Sequence, residues 1–283
     1  MILVTGAGGQ LGQDMVSCLG QRGIPCMGAD RSQLDITDKS AVDGYMARCR
    51  PQAVIHCAAY TAVDRAEDEP ETCRAVNVLG TRHIAEACEN IGARLVYISS
   101  DYVFSGEGTA PYETGSPTGP LSVYGKTKLE GEQVVQALSS RYFIVRTSWV
   151  FGAKGPNFVK TMLRLGREKD RLQVVCDQTG SPTYTADLAP LLCDMLRSGR
   201  YGIYHATNEG FCSWAQFAEE IFAGAGLKTQ VQPIFSAQYP AKASRPKNSR
   251  LSKKSLDEAG LSRLPPWQDA LRRCLLSLKE QGE

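Results

Sequence analysis

The first 150 residues of this 283-residue chain alternate short apolar runs with longer amphipathic stretches, and this alternation constrains the fold more than any other feature. The apolar runs predict strands and the amphipathic stretches predict helices. Strands that alternate with helices are typical of a parallel sheet covered on both faces, and such strands are apolar throughout because both of their faces are buried. The predicted strands are 2–5, 25–28, 53–57, 95–99 and 143–146, and the predicted helices are 10–21, 39–48, 71–91 and 122–138.

A glycine-rich turn joins the first predicted strand to the first predicted helix. Its glycines follow the spacing Gly-x-x-Gly-x-x-Gly, which differs from the Gly-x-Gly-x-x-Gly fingerprint but meets similar physical demands. Glycine permits the tight turn, the approach of backbone N–H groups to a pyrophosphate and the close packing of helix on strand. A helix N-terminus also favours an anion. The turn therefore predicts a dinucleotide site that includes Gly6, Gly9, Gln10, Leu11 and Gly12.

The second predicted strand leads into further candidates for cofactor binding. Asp30 could hydrogen-bond the adenosine ribose of NAD, whereas Arg31 could pair with the 2′-phosphate of NADP, so the sequence leaves the preference between NADH and NADPH open. Asp35 and Ile36 could flank the adenine. Alternatively, Asp35 or Thr37 starts the next helix.

Small residues follow the third predicted strand. In the segment Ala58, Ala59 and Tyr60, the two alanines would let a cofactor lie against the backbone. We therefore include this segment in the predicted cofactor site.

The combination of Tyr124 and Lys128 with a strand-end serine indicates acid–base chemistry. The tyrosine and the lysine are four residues apart, so they lie on one face of a helix. An unperturbed tyrosine has a pKa near ~10, and a nearby ammonium lowers it by favouring the phenolate. The fourth predicted strand ends at Ser99 and Ser100, and a hydroxyl there could bind the reacting oxygen. A Tyr/Lys pair alone is usually an exposed helix contact, but beside the glycine turn it predicts redox chemistry on a carbonyl or an alcohol.

The second half of the chain has shorter segments and longer connections. Helices are predicted at 157–168, 185–196 and 214–223, the last with an apolar stripe that indicates core packing. We predict an α/β fold with a Rossmann-type doubly wound parallel sheet in a dinucleotide-binding domain at 1–150. A smaller, mixed C-terminal lobe at 151–283 would mainly bind substrate, with an approximate boundary and some exchange of chain between the lobes.

Composition and charge exclude several classes of function. Lys and Arg total 32 against 30 Asp and Glu, so no global field attracts nucleic acid or a membrane surface. No apolar run approaches the length of a membrane span, and the first residues read as a strand rather than a leader, so we expect a cytoplasmic protein. The ten cysteines contain no Cys-x-x-Cys pair and the three histidines are scattered, so we expect buried thiols in a reducing compartment and no metal site.

Several longer segments identify a family. With the glycine turn and the Tyr124-x-x-x-Lys128 motif, the chain resembles the extended short-chain dehydrogenase/reductase family. Within it, the chain resembles the dTDP-4-dehydrorhamnose reductases over almost its whole length. The segments that carry the narrower resemblance are Ala-Ala-Tyr-Thr-Ala-Val-Asp at 58–64, Ser-Ser-Asp-Tyr-Val-Phe at 99–104, Ser-Val-Tyr-Gly-Lys-Thr-Lys at 122–128, Arg-Thr-Ser-Trp-Val at 146–150, Asp-Gln-Thr-Gly-Ser-Pro-Thr at 177–183 and Arg-Pro-Lys-Asn-Ser-Arg-Leu at 245–251.

The resemblance implies a reaction in the biosynthesis of dTDP-rhamnose, a precursor of bacterial surface polysaccharide. NADPH or NADH would deliver hydride to the C4 ketone of dTDP-4-dehydro-β-L-rhamnose, and Tyr124 would donate a proton to the developing alkoxide. Lys128 would hold the nicotinamide ribose and tune Tyr124, while Ser100 would hydrogen-bond the carbonyl oxygen.

The resemblance also implies a set of substrate contacts. Asp101 would lie in the sugar site, which Val63 and Trp149 would also contact. Residues 228–255 carry no acidic side chain, and Arg245 in this stretch would bind the nucleotide part of the substrate. The alternative for this stretch is a solvated basic loop.

Two positions depart from some members of the family. Threonine replaces Ser100 in some relatives, which keeps the hydroxyl. Some relatives use a glutamate early in the first helix to bind Mg²⁺ at a dimer interface, but this chain has Asp14 and Met15 near that place. Dependence on Mg²⁺ is therefore doubtful, although a homodimer remains possible.

Two alternative functions remain open at the level of sequence. A nucleotide-sugar 4-epimerase would keep tightly bound NAD⁺ and return the hydride. A non-catalytic NADP-binding subunit, similar to the regulatory subunit of methionine adenosyltransferase, would share the fold without reducing a sugar. A 4,6-dehydratase is disfavoured because Asp101 is followed by Tyr102 rather than by a second carboxylate.

Overall fold

A computed structural model describes residues 1–282. The strands are β1 (Ile2–Thr5), β2 (Cys26–Ala29), β3 (Ala53–His56), β4 (Arg94–Ser100), β5 (Tyr142–Thr147), β6 (Val150–Phe151), β7 (Arg171–Val175), β8 (Thr179–Gly180), β9 (Thr183–Tyr184), β10 (Gly202–His205), β11 (Cys212–Ser213), β12 (Gln230–Ile234) and β13 (Asn248–Ser249). The helices are α1 (Gln10–Gln21), α2 (Lys39–Cys49), α3 (Val63–Ala66), α4 (Pro70–Arg74), α5 (Thr81–Ile91), α6 (Val123–Leu138), α7 (Phe158–Glu168), α8 (Thr185–Ser198), α9 (Trp214–Gly224), α10 (Lys254–Glu258) and α11 (Trp267–Glu280).

Six parallel strands form the main sheet in the order β10-β5-β4-β3-β1-β2. The strand order reverses next to β1, as it does in doubly wound sheets, where ligands bind at the carboxyl ends of the strands. β1 and β3 are buried along their whole length, which accounts for their apolar sequences. The predicted parallel sheet and its five strands are confirmed within one or two residues at each end.

Helices cover both faces of this sheet. One core packs α1 and α8 against it, with Met15 and Leu188 fully buried, and the core of the other face contains residues of α2, α5 and α6. The chain thus leaves the first sheet after β5 and returns to it through α8 and β10. The domain boundary at residue 150 stays a prediction. Beyond that boundary, β10 joins the first sheet and α8 packs on it.

The C-terminal lobe is built around its own core. α7, α9 and α11 surround fully buried side chains such as Phe151 and Phe217. Three small sheets, β11-β8-β13, β12-β7 and β6-β9, connect these helices. Ser213 and Gln216 form the predicted capping box at the start of α9.

A π-helical turn interrupts the long helix that the sequence predicts at 71–91. α4 is followed by a π-helix at Ala75–Gly80 and then by α5, so the helical run continues with one wider turn. π-Helical turns occur frequently at functional sites. Here the wider turn carries Asn77, whose amide holds the backbone of Tyr60 and the hydroxyl of Thr127.

Two further expectations concern the membrane and the cysteines. Across the described residues, no helix combines the length and the apolar character needed to cross a membrane. All ten cysteines are free thiols, five of them buried and five partly exposed.

Candidate active site

The glycine turn packs directly on the segment that follows β3. Gly6 has a φ of +65°, and a Cβ at this position would lie 2.6 Å from the backbone nitrogen of Ala58. A Cβ on Gly12 would lie 2.2 Å from the carbonyl oxygen of Gly6. These separations exclude any side chain. Two of the three glycines are therefore required by the packing of the turn itself.

The N-terminus of α1 is open to an anion. Gly9 precedes the helix in an extended conformation, and no side chain caps the first turn, which also contains no acidic residue in the described chain. Unpaired N–H groups and the helix dipole favour a phosphate there. Leu11 points into the core, so it could contribute only through its backbone. Gln10 accepts a hydrogen bond from Asn157 (3.0 Å), which ties this turn to the C-terminal lobe.

Ser100 and Asp101 lie at the carboxyl end of β4. The Ser100 Oγ donates to Asp101 Oδ1 (2.9 Å) and accepts from the backbone nitrogen of Tyr102 (3.2 Å). Burial raises the pKa of the Asp101 carboxyl to about 6, although hydrogen bonds from Ser249 and Ser100 oppose part of this rise. A hydroxyl and a carboxyl are thus held side by side at the end of the strand.

Tyr124 lies in the first turn of α6, next to Ser100. Ser122 caps this helix by accepting from the backbone nitrogen of Gly125 (3.1 Å). The Tyr124 ring meets the ring of Tyr102 edge-on, with 5.4 Å between centroids. Burial raises the pKa of Tyr124 above its usual range, and a hydrogen bond with Ser100 counteracts part of the rise. Ser100 and Tyr124 therefore meet, as the sequence suggests.

Lys128 lies one helical turn further along, but its ammonium points toward the sheet. The Nζ donates to the carbonyl oxygen of Ile98 (2.6 Å) and lies 4.1 Å from the ring centroid of Tyr97. Burial lowers the pKa of Lys128 to about 7, and the Glu132 carboxylate opposes this effect. The expectation that Lys128 lowers the pKa of Tyr124 is wrong for this structure, because burial outweighs other influences on the phenol and the ammonium is engaged with Ile98.

Trp149, which the resemblance predicts to contact the sugar, lies two residues after the end of β5. Its φ of +49° is in the left-handed region, which is unusual for a bulky residue. The indole stacks on Trp214 with ring centroids 3.6 Å apart and an interplanar angle of 12°. A Cβ on Gly180 would lie 2.8 Å from the Trp149 ring, so glycine is needed there for the ring to fit. The C-terminal lobe thus holds Trp149 in its unusual conformation.

Comparisons with known proteins place the chain in a family. The family model described as the RmlD substrate binding domain matches residues 1–280. The dTDP-4-dehydrorhamnose reductase of Streptomyces griseus is 45% identical, over 95% of this chain and 91% of the relative. The spore coat polysaccharide biosynthesis protein SpsK of Bacillus subtilis is 41% identical, over 97% of this chain and 96% of the relative.

A solved structure of the same family is closely similar in shape. The dTDP-4-dehydrorhamnose reductase of Bacillus anthracis, in complex with NADP, superposes with a TM-score of 0.95 at 42% identity. The match covers 97% of this chain and 98% of that chain. The chain belongs to the dTDP-4-dehydrorhamnose reductase family.

In this member of the dTDP-4-dehydrorhamnose reductase family, Asp30 lies beside the glycine turn. Its Oδ1 accepts from the backbone nitrogen (2.8 Å) and the hydroxyl (2.6 Å) of Ser32, and these hydrogen bonds lower the pKa of the carboxyl. A Cβ on Gly8 would be 3.7 Å from the Asp30 Cβ. Arg31 is exposed. Both candidates for recognition of the adenosine ribose therefore lie near the turn.

Asp35 is partly exposed, whereas Ile36 is buried. The Asp35 carboxylate accepts from the backbone nitrogen and the hydroxyl of Thr37, which lowers its pKa. The Ile36 side chain is buried against Gly80, so its contact with a cofactor is limited. The alternative that Asp35 or Thr37 starts the next helix is wrong, because Asp38 caps α2 by accepting from the backbone nitrogen of Ala41.

The segment after β3 lies against the glycine turn. Ala58 packs on Gly6, and Ala59 and Tyr60 are partly exposed. The backbone nitrogen of Tyr60 donates to Asn77 (2.8 Å), and its hydroxyl donates to Glu69 (2.9 Å). The predicted cofactor segment is thus held rigidly from the π-helical turn.

Arg245 makes an ion pair that the sequence does not reveal. Its guanidinium donates two hydrogen bonds to Asp64 (2.9 and 2.8 Å), and Asp64 also accepts from the backbone nitrogen of Ala243. This pairing holds the pKa of the Asp64 carboxyl down to about 2. Val63 precedes Asp64 at the start of α3 and is partly exposed. The residues predicted to contact the sugar and the diphosphate are therefore linked to each other.

The residue at the place of the family's Mg²⁺-binding glutamate is not available to a metal. Met15 is fully buried in the core beneath α1, and the neighbouring Asp14 accepts a hydrogen bond from Thr185. Among residues 1–282, no group of three or more His, Cys, Asp or Glu is arranged to hold a metal ion.

Sequence reasoning missed several residues that complete the site. Tyr97, Tyr102 and Ser249 contact Lys128, Tyr124 and Asp101, respectively, and Asn77 holds the backbone of Tyr60. Tyr102 and Ser249 lie in segments that support the family resemblance, so those segments contained a signal for them. Asn77 and Tyr97 carry no local pattern, because their roles depend on contacts between distant parts of the chain.

Proposed function

We propose that this chain catalyses the NAD(P)H-dependent reduction of the C4 ketone of dTDP-4-dehydro-β-L-rhamnose to dTDP-L-rhamnose. The observation that carries the proposal is the contact between Ser100 and Tyr124 at the carboxyl end of the sheet, which is the end that holds the open N-terminus of α1. The relatives named dTDP-4-dehydrorhamnose reductase support the substrate.

The residues of the site have separate roles in this reaction. When bound, the reduced nicotinamide supplies the hydride for C4. The Tyr124 hydroxyl gives its proton to the oxygen that was the carbonyl oxygen, and Ser100 donates a hydrogen bond to the same oxygen. The Lys128 ammonium would hold the nicotinamide ribose.

The raised pKa of Tyr124 suits the direction of reduction. The buried phenol stays fully protonated at neutral pH, so a proton is available whenever substrate arrives. Hydride transfer to C4 leaves an alkoxide, and the Tyr124 hydroxyl would supply the proton that this oxygen takes up. A hydrogen bond with Ser100 then stabilises the resulting phenolate.

A cavity lined by two basic side chains and by Glu107 is where we place the diphosphate of the substrate. A space of about 640 Å³ lies between residues 105–108 and 236–247, and both Arg245 and Lys247 line it. Guanidinium and ammonium groups are suited to phosphate oxygens. Because Arg245 is paired with Asp64, a diphosphate there competes with that carboxylate for the guanidinium.

For the cofactor, we favour NADPH over NADH. Ser32 donates both of its hydrogen bonds to Oδ1 of Asp30, so they do not decide the preference. Arg31 is exposed and available to a 2′-phosphate. The Bacillus anthracis relative was solved in complex with NADP. Comparison of kcat/KM for the two cofactors tests this preference, and a higher value with NADH contradicts it.

Turnover of the purified protein with dTDP-4-dehydrorhamnose and NADPH tests the reaction, followed by the loss of reduced-nicotinamide absorbance. Tyr124→Phe removes the donor hydroxyl, and we expect kcat to fall by at least about a hundredfold. Tyr201→Phe is the matched control, because Tyr201 precedes β10 at the amino end of the strands, whereas Ser100 lies at the carboxyl end, and Tyr201 lines a different cavity. This variant should keep the activity of the unchanged protein.

The outcomes separate this function from its alternatives. Near-normal turnover by the Tyr124→Phe variant contradicts the assignment of the proton donor. Oxidised NAD⁺ that co-purifies at full occupancy, without net oxidation of NADPH, indicates an epimerase. Binding of NADPH without turnover of any dTDP-sugar indicates a regulatory subunit.

A further inference from the structure

A fully buried ion pair lies beneath the proposed catalytic residues. Glu132 on α6 and Arg146 on β5 have side chains that are only 1% and 4% exposed. The guanidinium donates two hydrogen bonds to the carboxylate, from Nε (2.9 Å) and from Nη2 (2.7 Å). Removing both charges from water is expensive, so a pair of this kind is weak evidence for stability and invites a functional explanation.

The pair joins the three elements that carry the site. Ser99, which precedes Ser100 on β4, donates its hydroxyl to the Glu132 carboxylate. Arg146 lies three residues before Trp149 on β5, and its Nη1 donates to the carbonyl oxygen of Thr114 (3.0 Å). The network therefore holds α6, the end of β4 and the end of β5 in a fixed relation.

Glu132 also acts on Lys128, which precedes it by one helical turn. The ionisable groups that face the ammonium are Cys73 from α4, His56 and Cys57 from the end of β3, Tyr97 from β4 and Glu132 from α6. Glu132 is the carboxylate among them. Burial lowers the pKa of Lys128, and Glu132 is the neighbour that raises this pKa most.

We propose that Glu132 is a positioning residue for this reaction: it fixes the helix that carries Tyr124 and Lys128, and it keeps a negative charge beside the Lys128 ammonium. Arg146 holds Glu132 in place. The inference rests on the proposed function in one respect, since Lys128 is taken to hold the nicotinamide ribose.

The test measures the affinity for NADPH as a function of pH by nicotinamide fluorescence, without any sugar. In the unchanged protein, the affinity should fall as the pH rises through about 7, where Lys128 loses its proton. Glu132→Gln keeps the shape of the side chain but removes its charge, which disfavours the ammonium. We expect the fall in affinity to move to lower pH by about one unit, with about fivefold weaker binding at pH 7.

Ser99→Ala is the matched control, because it removes a hydrogen bond from the same network but leaves the charge of Glu132. This variant should melt at a lower temperature and keep the pH dependence of the unchanged protein. If Glu132→Gln does not fold, the double variant Glu132→Gln, Arg146→Met leaves no unpaired buried charge and should show the same downward shift.

An unshifted pH dependence in a folded variant that lacks the Glu132 charge overturns the inference, as does an equal shift in Ser99→Ala. Because no sugar is present, the result is independent of the substrate. A pH shift in the variant, with no sugar reduction by the unchanged protein, supports the positioning role and refutes the proposed reaction. Sugar reduction by the unchanged protein, with no pH shift in the variant, supports the reaction and refutes the positioning role.

Discussion

At the scale of single residues, Ser100 combines two interactions that require a hydroxyl. It caps the short turn at Asp101–Val103 by accepting from the backbone nitrogen of Tyr102, and it donates to Asp101. The same oxygen lies against Tyr124. A hydroxyl has one proton to donate, so Ser100 would have to turn this proton from Asp101 toward the substrate to bind a developing oxyanion.

Replacement of Ser100 should separate its chemical role from its packing. Ser100→Ala removes the donor, and we expect kcat for the reduction of dTDP-4-dehydrorhamnose to fall about a hundredfold. Ser100→Thr keeps the hydroxyl and should stay within a few-fold of the original kcat. Steady-state kinetics of both variants test this, and equal losses in the two would refute the role of the hydroxyl.

Residues with a single local function were predictable from the sequence, whereas residues held by distant partners were not. Gly6 has a left-handed backbone conformation and Gly12 packs on Gly6, so both requirements arise within the turn and the spacing predicted them. The direction of the Lys128 ammonium depends on Ile98 and Tyr97, which the helical spacing of Tyr124 and Lys128 cannot reveal.

At the scale of elements, glycine sets how closely α6 lies on its neighbours. A Cβ on Gly131 would lie 2.2 Å from the Tyr97 hydroxyl oxygen and 2.8 Å from the carbonyl oxygen of Asn77. A Cβ on Gly125 would lie 2.3 Å from the carbonyl oxygen of Tyr102. Glycine at 131 therefore lets α6 pack against β4 and the π-helical turn, and glycine at 125 lets it pack against the turn at Asp101–Val103.

Gly131→Ala should push α6 away from the sheet. We expect a loss of about 1 to 3 kcal/mol of unfolding free energy and a lower kcat, because Tyr124 and Lys128 move with the helix. Gly20→Ala is the control, since a Cβ there meets nothing within 4 Å and alanine favours the helix by about 0.5 kcal/mol. Denaturant unfolding measures both, and a neutral effect of Gly131→Ala would contradict the packing argument.

The elements themselves were largely predictable, because periodicity reports which faces are buried. The π-helical turn was not, since its extra residue follows from the fit of Asn77 between Tyr60 and Thr127 rather than from any local pattern. The strands of two residues in the C-terminal lobe are likewise too short to show a period.

At the scale of the whole molecule, two histidines couple folding to pH. His56 at the end of β3 and His205 at the end of β10 are buried, and burial lowers the pKa of each to about 3. An unfolded histidine has a pKa near ~6.5. At a pH between the folded and the unfolded pKa, the histidines are protonated in the unfolded chain but not in the folded chain. The free energy of unfolding therefore falls as the pH falls.

We expect the free energy of unfolding to decrease by roughly 2 kcal/mol between pH 7 and pH 5. The two histidines lower it, and Asp101 offsets part of the loss because its pKa is raised to about 6 in the folded state. Denaturant unfolding at the two pH values measures the change. A His205→Asn variant, which cannot take up the proton, should lose less stability over this range, and an unchanged difference would refute the assignment.

The overall α/β architecture followed from the first 150 residues, but the sixth strand did not. β10 pairs with β5 only after the chain has passed through the first part of the C-terminal lobe. Its four residues resemble any short apolar run, and only the unpaired edge of β5 determines where they go. Such long-range pairing leaves no periodic signal in the sequence.

The late arrival of the sixth strand has a consequence for synthesis on the ribosome. Translation completes β5 at residue 147, yet its partner β10 ends at residue 205. Until β10 has been synthesised, the edge of β5 that will bind it has unpaired N–H and C=O groups, and such an edge can pair with another chain. Crowded polysomes, where neighbouring copies are at the same stage, are therefore the setting in which this protein is most exposed to mispairing, and slower elongation between these two points would lengthen the risk.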